Sequence, residues 1–279
     1  MDNLSYILRA KKFRAKKSLG QNFLIDADTI DFIAQHAASD DEILEIGAGL
    51  GFVTEQLVQR AKKVIALEID KQAIDILNKN LSDYKNFNLV EKDILKTQIN
   101  ELGFNSKIKV IANIPYYITS PILVHLLGEI DDVDNQNRNK IKELVLMVQL
   151  EVAKRICANE NSPEKEYGQL SILSQMYCDT EIIKIVPKKS FMPSPKVDSA
   201  IVKFTISDKP KVEITRLLKR TVKAIFMARR KNVKNSLLNA GFLGVIEALN
   251  KTNIEINTRG EKLSIYKIQE LAKALEEYN

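Results

Sequence analysis

Glu42-Ile43-Leu44-Glu45-Ile46-Gly47-Ala48-Gly49-Leu50-Gly51-Phe52 is a short apolar run that ends in alternating glycines, and a helical stretch from about Val53 to Ala61 follows it. A strand covered on both faces reads as a nearly unbroken hydrophobic run. Glycines let main-chain N–H groups approach a ligand closely at the start of a helix. The stretch therefore predicts a strand–loop–helix unit of an open α/β sheet with a ligand at the strand's carboxyl edge. A dinucleotide fingerprint needs glycine where Phe52 stands. The pattern is instead Glu-x-Gly-x-Gly-x-Gly, with Glu45 inside the strand, and it departs from NAD sites.

Working outward, Val64 to Asp70 reads as a second strand with Glu68 near its end, where an acid can bind both ribose hydroxyls. A helix over Gln72 to Asn80 follows. Phe87 to Val90 is a third apolar piece leading to Asp93, placed to accept from an adenine amino group of a bound cofactor. Each acid alone could be an ordinary strand-end residue. Glu45, Glu68 and Asp93 in register, each closing its own strand, point to a nucleoside cofactor site.

The run Ile108 to Ala112 reads as a further buried strand, and Asn113-Ile114-Pro115-Tyr116-Tyr117 sits directly behind it. Proline ends the hydrogen-bond ladder and throws Asn113 and Tyr116 out at the carboxyl edge. An amide oxygen accepts from an exocyclic amine, and a tyrosine offers a flat face for a base. That pairing suits adenine. Its N6 lone pair is delocalised into the ring, and acceptors holding both N6 hydrogens favour a pyramidal nitrogen with the lone pair free. The plain alternative is a strand-ending turn with a capping Asn and a packed Tyr.

After this turn, Thr119 or Ser120 caps a helix with Pro121 in its first turn and Ile122, Leu123, Leu126 and Leu127 on its buried face. His125 reads as structural or surface. Asp131 to Lys140 reads as a loop, and strands are expected over Glu143–Gln149, Glu181–Val186 and Ser199–Ile206, completing seven. Phe191, in the Pro-stiffened stretch between the last two, is either a stacking platform or a packed core residue. Ahead of the sheet, Arg9, Lys11, Lys12, Arg14, Lys16 and Lys17 form a basic arm. It runs into an ordered loop, Ser18 to Asp26, and a helix capped by Asp26 or Asp28, with His36 at the surface.

From about Asp208, Leu217, Leu218, Val222, Ile225 and Phe226 recur at helical spacing. Arg216, Lys219, Arg220, Lys223, Arg229, Arg230, Lys231 and Lys234 crowd the same stretch with almost no acids, the footprint of a phosphate-binding face. Helices near Leu243–Asn250 and Leu263–Glu277 finish a small bundle. The chain has 279 residues and a net charge of +6, which fits one large domain with a small appendage and an anionic partner. No apolar run approaches a membrane span. Cys157 and Cys178 lack metal-ligand spacing, and the start of the chain lacks the order of a secretory signal. A reduced, cytoplasmic protein without a structural metal is expected.

Gly20-Gln21-Asn22-Phe23-Leu24, Glu45-Ile46-Gly47-Ala48-Gly49, Asn113-Ile114-Pro115-Tyr116 and Phe191-Met192-Pro193-Ser194-Pro195-Lys196-Val197-Asp198-Ser199 together resemble the ribosomal RNA adenine N6-dimethyltransferases, over nearly the whole chain and in family order. Tyr167-Gly168-Gln169-Leu170-Ser171 and Phe226-Met227-Ala228-Arg229-Arg230-Lys231 are similar to later motifs of the bacterial small-subunit branch. The departures, Ala48 for proline and Ile114 for leucine, remove no functional group. The resemblance implies a class I, Rossmann-like methyltransferase, an α/β fold with a seven-stranded mostly parallel sheet over 1–207, and a small all-α RNA-binding domain over 208–279. It implies S-adenosylmethionine as cofactor, with contacts at Asn22, Leu24, Gly47, Glu68, Asp93 and Asn113. Target-adenine contacts are implied at Asn113, Tyr116 and Phe191. It implies dimethylation of two adjacent adenosines near the 3′ end of small-subunit ribosomal RNA, with the subunit precursor as partner and the protein a monomer. An NAD oxidoreductase would need the missing glycine, and a DNA adenine methyltransferase would normally carry a distinct recognition domain. An assembly or transcription factor that had lost catalysis could dispense with Asn113, Glu68 or Asp93, and all three are present.

Overall fold

The computed structural model describes residues 2–163, 165–228 and 230–279. Arg229, one of the cations of the expected basic face, lies outside the described residues. In chain order the strands are β1 (Phe23–Leu24), β2 (Glu42–Ile46), β3 (Lys63–Glu68), β4 (Phe87–Glu91), β5 (Ile108–Asn113), β6 (Ile141–Gln149), β7 (Cys178–Val186), β8 (Phe191–Met192) and β9 (Ser199–Ile206). The helices α1 (Asn3–Lys11), α2 (Ala27–Ala34), α3 (Thr54–Leu57), α4 (Lys71–Leu81), α5 (Thr119–Leu127), α6 (Gln136–Asn139), α7 (Leu150–Cys157) and α8 (Gln169–Tyr177) lie before and between them. α9 (Leu218–Met227), α10 (Val233–Asn239), α11 (Val245–Lys251) and α12 (Ile265–Leu275) follow.

Seven strands form one sheet in the order β4-β3-β2-β5-β6-β9-β7, while β1 and β8 pair separately. From β4 to β6 all neighbours run parallel, and β9 is antiparallel to β6. Parallel crossovers carry the chain outward from β2 to β3 and β4, then back to β5 on the other side of β2. Ligands of open α/β sheets bind at that switch point. Ile43, Leu44, Val64, Ile65 and Val110 are fully buried there, as the unbroken apolar runs require.

Several elements differ from the sequence reading. The helix expected to reach Ala61 is α3 alone, and the chain leaves it in turns closed on the Leu57 carbonyl by Arg60 and Ala61. The polar stretch Asp131 to Lys140 holds α6. Its Asn137 is buried because its side chain accepts from the Ile99 N–H at 2.9 Å and donates to the His125 carbonyl at 3.0 Å. His125 is structural, with Nε2 2.9 Å from the Thr97 carbonyl. The basic arm is partly the helix α1. Asp2 caps it, Tyr6 and Ala10 are buried, and Tyr6 packs on Phe52 at 4.7 Å between ring centroids.

Contacts divide the chain into two compact units. The first runs to Leu126 and resumes over Gln136–Ala153 and Glu181–Ile206. The second includes Leu127–Asn135 and Lys154–Thr180 besides Ser207–Asn279, so two stretches assigned to the sheet domain on sequence belong with the helices. The reason is apolar surface. α8 buries Ile172, Leu173, Met176 and Tyr177 and packs on α9 and α12, and the Tyr167 ring meets Phe226 edge-on at 5.5 Å.

The third glycine of the loop is a packing requirement. A Cβ on Gly51 would lie 2.8 Å from Leu77 Cδ2 in α4, at a φ of 78°. A Cβ on Gly47 would meet nothing within 4 Å, also at a left-handed φ. Gly51→Ala is expected to destabilise the protein by about 1–3 kcal/mol through strain and overpacking. Gly47→Ala should incur only the strain, and denaturant unfolding of both variants checks the difference.

Candidate active site

The carboxyl ends of β2, β3 and β5 and the turn after β4 open into one cleft, closed on its remaining side by Leu19–Leu24. Asn22, Leu24, Gly47, Glu68, Asp93, Asn113 and Tyr116 all line it. The sequence spreads these residues over five separate stretches, and the fold brings them to one cleft.

Glu68 is held rigidly. One carboxylate oxygen accepts from the Gly49 N–H at 2.7 Å, and the other from the N–H groups of Ile69 at 2.8 Å and Asp70 at 2.9 Å. The glycine loop thus turns one of its amides onto the acid at the end of the neighbouring strand. Asp93 accepts from the Leu95 N–H at 3.0 Å and caps the short turn after it.

Asp70, 1% exposed, joins the N-terminal segment to the sheet. It accepts from Lys16 Nζ at 2.7 Å, Gln21 Nε2 at 2.8 Å and the Gln72 N–H at 3.1 Å. Burial pushes its carboxyl up, but the bonds from Lys16, Gln21 and Gln72 outweigh it and hold it below the ordinary carboxylate value. Arg9 grips the back of the glycine loop. Its guanidinium reaches both Glu55 oxygens and the Leu50 carbonyl, and lies 4.7 Å from the Phe52 ring centroid. Two cations of the expected arm, Arg9 and Lys16, are therefore structural.

On the other wall, Asn113 Nδ2 donates to the Asn22 carbonyl at 3.1 Å, and Asn22 Nδ2 in turn donates to the Gly20 carbonyl at 3.0 Å. The first bond orients the Asn113 amide, since its nitrogen faces Asn22 and its oxygen is directed elsewhere. Tyr116, half-buried, shares a 2.7 Å hydrogen bond with the Ser199 hydroxyl. Burial raises its phenol above the ordinary value, against the pull of Ser199, so it stays neutral at physiological pH.

Phe191 is not part of this wall. In β8 it pairs with Leu24 of β1, and at 3% exposure its ring sits in the hydrophobic core without lining the cleft. The stacking role expected for Phe191 gives way to the packing alternative, because strand pairing turns the side chain inward. The sequence also left without roles Asp70, Gln21 and Ser199. An Asp directly before a helix is a capping signal, but nothing local shows that Lys16 and Gln21 reach it.

Glu45 is fully buried in the cleft, and its Oε2 has no hydrogen-bond partner among the described residues. Burial raises its carboxyl from 4.5 to about 7, with the Thr54 hydroxyl pulling down and Glu68 pushing further up.

A glycine loop, a strand-end acid and an amide-proline-tyrosine turn on this sheet order define a class I, Rossmann-like methyltransferase. Residues 12–277 match the model of the family described as ribosomal RNA adenine dimethylase, and the chain belongs to that family. It is 40% identical to "Ribosomal RNA small subunit methyltransferase A" of Clostridium botulinum, strain Langeland, over 98% of both chains. It is also 40% identical to the protein of that name from Bacillus pumilus, over 97% of this chain and 94% of the relative. Among solved structures, it resembles a dimethyladenosine transferase from Plasmodium falciparum with a TM-score of 0.73 and 27% identity, covering 90% and 95% of the two chains. The 23S rRNA methyltransferase ErmE gives a TM-score of 0.69 and 27% identity, covering 91% and 100%.

Between about 4.5 and 7, folded Glu45 keeps a proton that the unfolded chain has released, so this group makes stability fall as pH rises through that window. Asp26, Asp41, Glu42 and Asp70 are held low and act below it. His36, lowered by burial, acts with the opposite sign below 6.5. Comparing wild type with Glu45→Gln isolates the one carboxyl. The variant should gain up to about 3 kcal/mol relative to wild type on going from pH 5 to pH 8. A pH-independent difference in denaturant midpoints would show that Glu45 does not titrate there.

Proposed function

We propose that this protein uses S-adenosylmethionine to dimethylate N6 of two adjacent adenosines near the 3′ end of small-subunit ribosomal RNA. On this reading it acts as a monomer in the cytoplasm on the small-subunit precursor. The observation that carries the reading is the orientation of Asn113, whose amide nitrogen is committed to the Asn22 carbonyl. The amide oxygen is thereby left as an acceptor beside Tyr116. Relatives bearing a small-subunit name match the chain end to end at 40% identity, which favours that RNA over the large-subunit RNA of ErmE.

The cleft fits the cofactor. Open space above Gly47 leaves room for a ligand against the loop, and the bare Glu45 Oε2 would be satisfied by a cationic amino group. Glu68 would hold the ribose hydroxyls and Asp93 the adenine amine, with Asn22 and Leu24 closing the far side. When bound, S-adenosylmethionine supplies a methyl group already activated by its positively charged sulfur. The protein's task is to position and polarise the attacking amine.

Asn113 Oδ1 and a main-chain carbonyl of the same turn would accept the two N6 hydrogens. As N6 bonds to the methyl carbon it gains positive charge and its hydrogens grow more acidic. Fixed acceptors are therefore worth more in the transition state than in the ground state. Tyr116, clamped at its hydroxyl by Ser199, presents its ring to the base. No general base is needed before attack, and the proton leaves afterwards.

The helical unit supplies cations for phosphate. Arg220 donates to the Ala240 carbonyl at 2.9 Å, and Lys219 pairs with Asp131 at 2.9 Å, so both are structural. Lys223, Arg230, Lys231 and Lys234 have no ion-pair partner among the described residues. Removing the charges of Arg230, Lys231 and Lys234 should weaken binding to small subunits and reduce its salt slope by roughly one per lost phosphate contact. Affinity and slope that both survive would make this a solvated surface.

The chemistry is tested by incubating the protein with labelled cofactor and unmodified small ribosomal subunits, then mapping the modified bases. Asn113→Ala should slow single-turnover transfer by about 10²–10³-fold. Monomethyl product should accumulate, because the second transfer has only one N6 hydrogen to hold. Tyr116→Ala should cost roughly 1–3 kcal/mol and Tyr116→Phe much less. Near-normal rates in Asn113→Ala would make the turn structural.

A further inference from the structure

We propose that Tyr117 is a second stacking platform, at the mouth of the cleft, for the nucleotide next to the adenosine held at Tyr116. The inference rests on the reading of the site as an RNA adenine methyltransferase. Tyr117 lines the cleft yet is 60% exposed. A single exposed aromatic is ordinary on a protein surface, but this one is braced. A Cβ on Gly20 would lie 3.1 Å from Tyr117 Cε1, 3.2 Å from its Cδ1 and 3.5 Å from Pro115 Cβ. The tyrosine therefore rests one edge against a bare backbone, in a loop held in place by Gln21 and Asp70.

The two tyrosines divide the work by geometry. Tyr116–Ile118 is a single 3-10 turn, in which successive side chains point about 120° apart. Two such rings cannot serve one base. Tyr116 is pinned inward by Ser199, whereas the Tyr117 hydroxyl has no partner among the described residues. An adenosine that swings out of its stack toward Asn113 exposes the face of its neighbour. An aromatic ring just outside the cleft replaces that lost stacking, without sequence preference because every base has a π-face. Lys17 and Arg14, both exposed and just upstream of Gly20, place positive charge in the segment that carries the brace.

The test is single-turnover methylation of unmodified small ribosomal subunits by wild type, Tyr117→Ala, Tyr117→Leu and Tyr117→Phe, with cofactor affinity measured by calorimetry. Tyr117→Ala and Tyr117→Leu should each lower the transfer rate at sub-saturating subunits about tenfold. Tyr117→Phe should stay within about twofold of wild type, since stacking needs the ring and not the hydroxyl. Cofactor affinity should be unchanged in all three. Rates in Tyr117→Leu matching those in Tyr117→Phe would mean simple space filling, and unaltered rates in Tyr117→Ala would mean no role; either overturns the proposal. Loss of cofactor affinity in step with rate would mark a structural role and overturn it too. A wild-type protein that transfers no methyl group to the particles would instead overturn the function reading, and Tyr117 would fall with it.

Discussion

The buried Asp70 carboxylate is the constraint on which the cleft depends. It ends the stretch that follows β3, starts α4, and takes a lysine and a glutamine from a segment about fifty residues earlier in the chain. A carboxylate almost removed from water is costly unless its lone pairs are filled, and here three donors fill them. The consequence reaches the opposite wall. Gln21, once anchored, sets the course of Gly20 and Asn22, and the Asn22 carbonyl decides which end of the Asn113 amide faces the cleft. An electrostatic requirement beside Glu68 thereby selects which end of the Asn113 amide is presented to the cleft.

Much of this was legible in the chain. Buried parallel strands announce themselves as apolar runs, and an acid or amide directly after such a run must emerge at the carboxyl edge. The pattern alone puts Glu68, Asp93 and Asn113 at that edge, and all three line the cleft. What local pattern does not carry is pairing between distant segments. Phe191 has the sequence surroundings of an exposed platform, yet the β1–β8 pair buries it. The arm's cations look alike in sequence, but Arg9 and Lys16 find Glu55 and Asp70, while Lys11, Lys12, Arg14 and Lys17 remain exposed. The packing of α8 on α9 and α12 is likewise a tertiary fact.

The catalytic arrangement is spare because the reaction asks for little. On the proposed reading, with an activated methyl donor, the barrier left to the protein is the poor nucleophilicity of an aromatic amine and its alignment, and fixed acceptors would address both. The raised phenol of Tyr116 keeps the ring neutral, with a hydroxyl able to stay in its bond to Ser199. Glu45 is a different kind of group: its Oε2 has no partner among the described residues and burial raises its carboxyl, and such perturbed groups cluster at functional sites.

The bond between Tyr116 and Ser199 also says something about how such a molecule can diversify. Ser199 opens β9, the strand that runs against β6, whereas the glycine loop, Glu68 and Asp93 belong to β2, β3 and β4. On the proposed reading, donor handling and acceptor handling fall on opposite halves of one sheet, joined where β2 pairs with β5, and the Asn113 to Asn22 bond ties the acceptor half to the N-terminal segment. Mutational drift can reshape the half that meets nucleic acid while the half that grips the methyl donor keeps its hydrogen bonds intact. A lineage built on this plan can change its target without relearning its chemistry.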